Sequence, residues 1–214
     1  MTDSVEADEP RALEWARRLA ALAQSGLAFT TDPYDRERYE AIRQIAAEMT
    51  AALGELDVRR VLEALSAEQG YATPKIDVRG VVFRDREILL VRERRDGGWT
   101  LPGGWADPWG TPRESVEREV EEEAGLVVRA TKLLAVLDRT AQGHEPPYLF
   151  RVYKLFFRCE FLGGSLRASG LETTEVGFFR AEAIPPLSRA RTTERQIARF
   201  FEHLRDPTLP TDFD

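Results

Sequence analysis

Three of the four glutamates between Arg118 and Gly125 are the strongest chemical feature of this 214-residue chain. Glu119, Glu122 and Glu123 are three and four residues apart, a spacing that places their side chains on one face of an α-helix. Carboxylates at this spacing repel one another unless a cation lies among them. Mg²⁺ binds such oxygens together with water and the phosphate oxygens of a substrate. The cluster therefore predicts a site for Mg²⁺, or alternatively Mn²⁺, and phosphate-ester or pyrophosphate hydrolysis.

The helix that carries these glutamates has clear start and stop signals. Thr111 can cap its N-terminus, a proline follows, and Glu114 completes a capping box. Gly125 suits the left-handed residue that follows a helix. We therefore predict a helix over residues 112–124, close behind the glycine turn Leu101–Gly104.

The alternative is an acidic helix that faces solvent, which is the usual role of charge runs. It accounts for Glu114, Glu117 and Glu121, which point away from the metal face and are expected to be solvated. It does not account for a glycine turn placed before a capped helix. The metal site is therefore the favoured interpretation.

The segment Arg118–Leu126 resembles the second half of the Nudix box, and Gly104 matches its leading glycine. The resemblance implies a Nudix hydrolase, which cleaves a nucleoside diphosphate linked to another group X. It implies an α+β fold, with a mixed β-sheet in an α/β/α sandwich after a small helical domain. It also implies that the three glutamates and the main-chain carbonyl of Gly103 bind Mg²⁺, and that Arg118 orients Glu119.

One position departs from the family pattern, because Gly110 stands where a glutamate is expected. Asp107 lies in the same loop but is not in register with that position. The departure leaves the other carboxylates intact and affects the loop or an outer metal position.

Other motifs resemble one Nudix subgroup, whose members are similar to CDP-choline pyrophosphatases and some of whose relatives act on ADP-ribose. These motifs are Trp15–Leu19, Asp32–Tyr39, Gly104–Asp107, Gly143–Pro147, Lys154–Phe157 and Arg191–Thr193. The implied reaction is hydrolysis of CDP-choline to CMP and phosphocholine. The alternatives are ADP-ribose hydrolysis, nuclease or RNA-end processing that uses a basic patch around Arg191, and a non-catalytic ligand-binding module.

The attacking water needs a base, and three carboxylates are candidates. Glu119 is one, since neighbouring carboxylates raise the pKa of such a group. Glu172 and Glu175 are the others, because they precede a short strand whose loop can reach the metals, although an exposed polar loop explains either one equally well. The catalytic set is thus Arg118, Glu119, Glu122 and Glu175, with Glu172 as an alternative.

Four residues are candidates for substrate contacts. Arg79 could bind a phosphate from the first strand, and Trp105 directly follows the glycine turn. His144 and Tyr148 lie in a proline-rich loop that could contact the base or X. Lone residues of these types are more often structural, but a loop beside two prolines is a poor place for a core histidine.

Composition agrees with a soluble enzyme, and the resemblance implies a nucleotide-derived small molecule as its substrate. The net charge of −7 argues against general nucleic-acid binding, and 43% hydrophobic residues can fill a core. The single cysteine, Cys159, excludes an internal disulfide and is expected to lie in the core. No apolar run is long enough for a membrane span, so a cytoplasmic location is the default expectation.

The pattern changes near residue 70. Residues 1–70 are predicted to form a helical domain and residues 71–214 the Nudix domain. The first helix should end at Ser25-Gly26, and the second should begin at Asp32-Pro33. Its apolar stripe, Ile42, Ile45, Met49 and Leu53, is interpreted as core packing. Because about 65 residues are close to the lower limit for independent folding, this domain is expected to pack on the second domain or on a second copy of the chain, and a homodimer is the expectation.

Residues 71–214 show strand patterns and two helices. Strands are predicted over 76–84, 87–92, 127–137, 149–161 and 176–179, and a final helix over 188–204. Asp85-Arg86 reads as a two-residue hairpin turn.

Overall fold

The computed structural model describes residues 11–214, so the first ten residues of the predicted helical domain lie outside the described part of the chain. Residue contacts divide the chain into a unit that ends at Pro74 and a unit that runs from Lys75 to Asp214. Among residues 11–214, no helix is both long and apolar enough to cross a membrane.

The first unit consists of three helices: α1 (Arg11–Phe29), α2 (Pro33–Gly54) and α3 (Val58–Ala67). The side chain of Asp32 caps α2 by accepting hydrogen bonds from the backbone amides of Tyr34 and Asp35. Asp57 caps α3 by accepting one hydrogen bond, from the amide of Arg59. These starts agree with the sequence, because a short polar side chain before each helix satisfies otherwise unpaired amide groups.

The predicted end of α1 at Gly26 is wrong, since the helix continues to Phe29. A Cβ atom on Gly26 would lie 2.4 Å from the ring of Tyr39 on α2. The glycine therefore allows two helices to approach closely and does not terminate the first.

The predicted core stripe of α2 is wrong in part, because Ile42 and Met49 are half-buried and the other two members are exposed. Ile45 and Leu53 are 49% and 44% exposed, whereas Ala46, Ala47 and Ala51 are buried. Small side chains form the packed face because α1 approaches there. The larger apolar side chains therefore remain on the surface of the unit.

The second unit contains a mixed seven-stranded sheet with the order β3-β2-β1-β5-β4-β7, and β6 pairs with β2. The strands are β1 (Lys75–Arg84), β2 (Glu87–Glu93), β3 (Trp99–Thr100), β4 (Leu126–Asp138), β5 (Val152–Gly164), β6 (Thr173–Phe179) and β7 (Asp212–Phe213). β1 runs parallel to β5 and antiparallel to β2.

Two helices cover this sheet. Val116 and Val120 of α4 (Pro112–Ala124) pack into one apolar cluster with β1 and β4. Ile197 and Phe200 of α5 (Glu194–Arg205) pack into a second cluster. The predicted mixed sheet between helices is confirmed, and Cys159 lies buried in the first cluster, where burial raises its pKa to about 12.

The last helix begins later than predicted, at Glu194 and not at 188. Ser188 is held by β3, because its amide donates to the carbonyl of Trp99. Thr193 and Gln196 then form a capping box. The strand predicted from 149 likewise begins at Val152.

Candidate active site

Helix α4 has the ends expected from the sequence. Thr111 and Glu114 form the capping box, and Gly125 ends the helix with a φ of 74°. A Cβ atom on Gly80 of β1 would lie 2.4 Å from Val120. Close packing at this point fixes the helix, and so its glutamates, against the strand.

The glycine turn lies against β1. The carbonyls of Pro102 and Gly104 accept hydrogen bonds from the amides of Gly80 and Val78. Between them, Gly103 has a φ of 142°, and any Cβ atom there would overlap the carbonyl of Val78. Only glycine fits this position.

Gly103 also connects the turn to α4, because its amide donates to Oε2 of Glu123 at 2.9 Å. Glu119 lies beside Gly104, where a Cβ atom would be 2.9 Å from Oε2 of Glu119. The two carboxylates and the turn backbone therefore form one constellation.

A buried ion cluster, defined here as Asp77, Arg79 and Lys154, lies beneath the turn. Arg79 donates from Nε and Nη2 to the two carboxylate oxygens of Asp77 at 2.9 and 2.8 Å. Its third bond goes to the carbonyl of Leu101 at 3.0 Å. Lys154 donates to Asp77 at 2.6 Å. Arg79 thus connects the strand directly to the glycine turn.

The cluster holds one negative and two positive groups. Burial alone would raise the pKa of Asp77, but the charges of Arg79 and Lys154 hold that pKa well below its usual range. Burial lowers the pKa of Lys154, although Asp77 opposes the shift. The surplus positive charge of Arg79 in turn favours the ionised form of Glu123.

The three glutamates of α4 differ in burial. Glu123 is 5% exposed, and burial raises its pKa to about 7 despite the opposing effects of Arg79 and the Gly103 amide. The side chain of Glu119 is 15% exposed, and burial followed by repulsion from Glu122 raises its pKa. Glu122 is 61% exposed. Burial therefore disfavours the ionised form of the two inner carboxylates, although Arg79 partly offsets the effect on both.

Arg118 links the α4 glutamates to the loop. It contacts Asp107 at 2.7 Å and approaches Glu119 and Glu122 at 3.7 Å each. Glu117 is not solvated as predicted, because it accepts a hydrogen bond from the amide of Ala130 at 2.8 Å and is half-buried. It belongs to the packing of α4 on β4.

A cavity of about 570 Å³ opens beside these groups. The glycine turn, Glu119 and Asp107 form part of its lining. Its complete lining is Glu93, Arg94, Arg95, Gly103, Gly104, Trp105, Asp107, Glu119, Leu171, Glu172 and Arg191. The volume lies in the range of small-molecule sites.

The donor set suits a hard divalent cation. Within residues 11–214, no three acidic, histidine or cysteine side chains already converge as a metal-binding group. Mg²⁺ does not need such a cage, because it usually takes one or two carboxylates and completes its shell with water and phosphate. Burial is the main cause of the raised pKa values of Glu119 and Glu123, and a cation beside them would favour their ionised forms.

Comparison with known proteins adds an independent result. Residues 73–201 match the NUDIX domain model, and residues 10–65 match a UDP-X-like, N-terminal oligomerisation domain. The chain is 45% identical over 202 residues to a putative ADP-ribose pyrophosphatase, YjhB, of Bacillus subtilis, covering 94% of this chain and 96% of that protein. The chain belongs to the Nudix hydrolase family.

Two solved Nudix structures are also similar. A UDP-X diphosphatase is 33% identical with a TM-score of 0.61, covering 95% of this chain and 98% of that one. An ADP-ribose pyrophosphatase from Streptococcus suis is 41% identical with a TM-score of 0.60, covering 66% of this chain and 100% of that one. The chain is therefore a pyrophosphohydrolase, of a family that uses divalent metal ions.

Two substrate-binding predictions for this Nudix hydrolase conflict with the structure. Arg79 has no exposed surface and lies in the buried ion cluster, so it is placed to position the turn and not to contact a phosphate. His144 is 5% exposed. Its Nδ1 lies 3.0 Å from the carbonyl of Arg189 and its Nε2 lies 3.1 Å from Nε2 of Gln196. Both nitrogens are engaged in packing α5.

The aromatic candidates lie nearer the cavity. Trp105 lines it and is 49% exposed. Tyr148 is not among the lining residues of the described chain, but its ring lies 6.2 Å from that of Trp105. Tyr148 also packs against Phe150. The two predicted residues thus belong to one aromatic group at the edge of the Nudix site.

The three candidate bases differ in whether they line the cavity. Of the described residues, Glu119 and Glu172 line the cavity and Glu175 does not. Glu175 pairs with Arg92 at 2.5 Å. Glu172 therefore shares the cavity with Glu119, whereas Glu175 is paired with Arg92.

Several lining residues were missed from the sequence. Arg94 and Arg95 follow β2, and Glu93 ends it, so each looked like an ordinary turn charge. The basic patch expected near Arg191 is weakened, because Arg191 approaches Glu93 at 3.5 Å and Arg189 pairs with Glu145 at 3.1 Å. The motif Arg191–Thr193 was the only sequence signal for this part of the cavity lining.

Proposed function

We propose that this Nudix hydrolase cleaves the pyrophosphate bond of a nucleoside diphosphate linked to a group X, with Mg²⁺ as its metal. One observation carries the proposal: Glu119 and the Gly103-Gly104 backbone share a cavity with Arg94, Arg95 and Arg191. A metal at the carboxylates and cationic side chains elsewhere in the lining suit a diphosphate held between them.

Each residue of the constellation has a proposed role. Glu119, Glu122 and Glu123, with the carbonyl of Gly103, would hold the metal, which would neutralise negative charge on the phosphates. The Gly103 amide fixes Glu123, and Arg118 orients the neighbouring carboxylates. Glu119 or Glu172 removes the proton from the attacking water. Their shared cavity supports this pair over Glu175.

The identity of X has two candidates. The names of the similar proteins support ADP-ribose or a UDP-linked compound. CDP-choline is supported by the half-exposed ring of Trp105 in a cavity that also contains Asp107 and Glu172. An aromatic face beside carboxylates attracts a quaternary ammonium group.

A substrate panel with product identification tests the function. CDP-choline, ADP-ribose, a UDP-sugar and a nucleoside triphosphate are incubated with Mg²⁺ in ¹⁸O-labelled water. We expect a nucleoside monophosphate and a phosphorylated X, with the label on one of them showing which phosphorus is attacked. The Glu119→Gln protein serves as the control for contaminating activity. If none of the diphosphate-linked compounds is cleaved, the proposal is wrong.

We also propose a homodimer through the N-terminal helices. The match to an oligomerisation domain supports it. The unit also leaves large apolar side chains on its surface, namely Trp15, Leu22, Phe29, Ile45, Leu53 and Leu56. Light scattering should give twice the 24.3 kDa of one chain. Ile45→Glu should lower that mass and Ile45→Val should not, whereas a monomeric parent protein would contradict the proposal.

A further inference from the structure

Three arginines line the cavity beside Glu119. Arg94 and Arg95 lie in the turn after β2, and Arg191 lies in the loop before α5. Nearly one hundred residues separate the turn from the loop in sequence (191 − 94 = 97). The fold therefore assembles this group, here called the arginine wall.

The members of the arginine wall differ in how many hydrogen bonds and ion pairs they make within the protein. Arg94 is tied to its surroundings, because Nη2 donates to the carbonyl of Gly170 at 2.6 Å and its amide donates to that of Glu172 at 2.8 Å. Within residues 11–214, Arg95 makes no ion pair or side-chain hydrogen bond. Arg95 thus keeps all its donors for a ligand.

Arg191 is held but not saturated. Its Nε lies 3.5 Å from Oε1 of Glu93, and its side chain is 37% exposed. Glu93 itself is 6% exposed, so it acts as a buried anchor. A guanidinium has five N–H donors in a planar fork, and a single long contact leaves most of them available.

The chemistry of the lining limits what these donors can bind. Besides the arginines, the charged groups that line the cavity are Glu93, Asp107, Glu119 and Glu172. Guanidinium groups bind phosphate through two parallel hydrogen bonds, whereas a metal at the carboxylates would take phosphate oxygens as ligands. A ligand with two adjacent phosphates offers one phosphate to each set of groups, whereas a monophosphate has only one to share.

We propose that Arg95 and Arg191 bind the substrate phosphate that lies farther from the metal-binding carboxylates. They thereby select diphosphate-linked compounds over phosphate mono- and diesters. This inference rests on the proposed function and assigns the residues that recognise its substrate class. Arg94 positions the turn that carries Arg95, since its own bonds go to the neighbouring loop.

Binding of inorganic pyrophosphate provides a test that does not require turnover. Calorimetric titration in the presence of Mg²⁺ compares the parent protein with Arg95→Gln and Arg191→Gln. Each variant should bind pyrophosphate about tenfold more weakly, because a charge-assisted phosphate contact is lost. Binding of inorganic monophosphate should change less than twofold. Arg180→Gln, which removes a 67% exposed arginine outside the cavity lining, should leave pyrophosphate binding unchanged.

Turnover of the best substrate in the panel supplies the second measurement. Arg95→Gln and Arg191→Gln should raise KM about tenfold and change kcat less than threefold, since they remove a ground-state contact. Arg191→Lys should recover part of the loss through its charge, but not all of it, because lysine cannot make the bidentate contact. If Arg191→Gln does not fold, Arg191→Lys and Arg95→Gln carry the test.

The outcomes separate the two proposals. If the parent protein cleaves a diphosphate-linked substrate and both glutamine variants match it in KM and pyrophosphate affinity, the arginine wall has no such role. If the parent protein cleaves none of these substrates, the proposed function fails, whatever the pyrophosphate titration gives. If kcat falls while KM and the affinity for pyrophosphate are unchanged, the arginines act on the chemical step. That result would overturn the binding role assigned to them.

Discussion

Two groups of charges meet at the glycine turn, and they differ in how completely their bonds are satisfied. In the buried ion cluster, Asp77 receives three hydrogen bonds from Arg79 and Lys154. On α4, Glu119 and Glu123 lie next to each other with pKa values raised by burial. The buried ion cluster is a closed group, because its charges pair with one another and need no ligand. Glu119 and Glu123 form an open group, which would gain stability from a cation. The closed group therefore has a structural role and the open group a functional one.

Breaking the closed cluster should have the largest effect on stability. Asp77→Ala leaves Arg79 and Lys154 buried without a counter-ion, so we expect a loss of about 3–5 kcal/mol in the free energy of unfolding. Denaturant titration measures the change. Glu87→Ala, which breaks an exposed pair with Arg180, should cost less than about 1 kcal/mol. Equal losses in the two variants would remove the distinction between the clusters.

Removing a charge from the open group should act on activity. Glu119→Gln should lower kcat about 100-fold or more, because a metal ligand or base is lost. The melting temperature should hold or rise, since a repulsive partly buried charge disappears. Glu121→Gln, on the exposed side of the same helix, is the matched control. An active Glu119→Gln protein would show that the metal assignment is wrong.

His144 is also a buried group whose hydrogen bonds are satisfied, and its protonation should make the stability of the protein depend on pH. The carbonyl of Arg189 must accept from Nδ1–H, so Nε2 is left to accept from the amide of Gln196, and the ring is neutral. Burial, helped by Lys154 and Arg139, lowers its pKa from 6.5 to about 3. The unfolded chain therefore binds a proton that the folded chain does not, and stability falls as the pH drops below 6.5.

Below pH 6.5, His144 should lower the free energy of unfolding by up to about 1.4 kcal/mol for each unit that the pH drops. Urea titrations between pH 7.5 and 5 compare the parent protein with His144→Asn. The advantage of the parent protein should shrink as the pH falls. A constant difference between the two proteins across this range would contradict the neutral, closed arrangement.

Restoring the missing box carboxylate should have the smallest effect. A Cβ atom on Gly110 would approach only Ser115 and Glu114, at 3.5 Å or more. Gly110→Glu should thus change stability by less than about 0.5 kcal/mol. If the added carboxylate reaches the open group, less Mg²⁺ should be needed for half-maximal activity than in Gly110→Gln. Severe destabilisation would instead show that the loop requires glycine.

The sequence predicted those parts of the site that depend on local rules. Helix α4 lies where its capping box and Gly125 placed it, because these signals act within one turn of helix. The turn Asp85-Arg86 also has the expected left-handed backbone. The capping pair Thr193 and Gln196 could have corrected the start of α5 in the same way.

The remaining contacts depend on strand pairing that no local pattern reveals. Lys154 reaches Asp77 across 77 residues because β5 lies parallel to β1. His144 meets Gln196 only once α5 has packed. Asp77 and Arg79 could have been paired in advance, since residues two apart on a strand share a face. Their burial, and therefore their structural role, could not.

The close approach of α1 and α2 at Gly26 has a consequence for how this sequence can vary. Gly26 lies three residues before the end of α1, and helix propensity alone favours alanine over glycine inside a helix by about 0.5–1 kcal/mol. The ring of Tyr39 occupies the space that the added methyl group would need. Substitutions at these two positions should therefore be tolerated only in compensating pairs, with a larger residue at 26 accompanied by a smaller one at 39. Engineering that optimises each helix separately would miss this constraint.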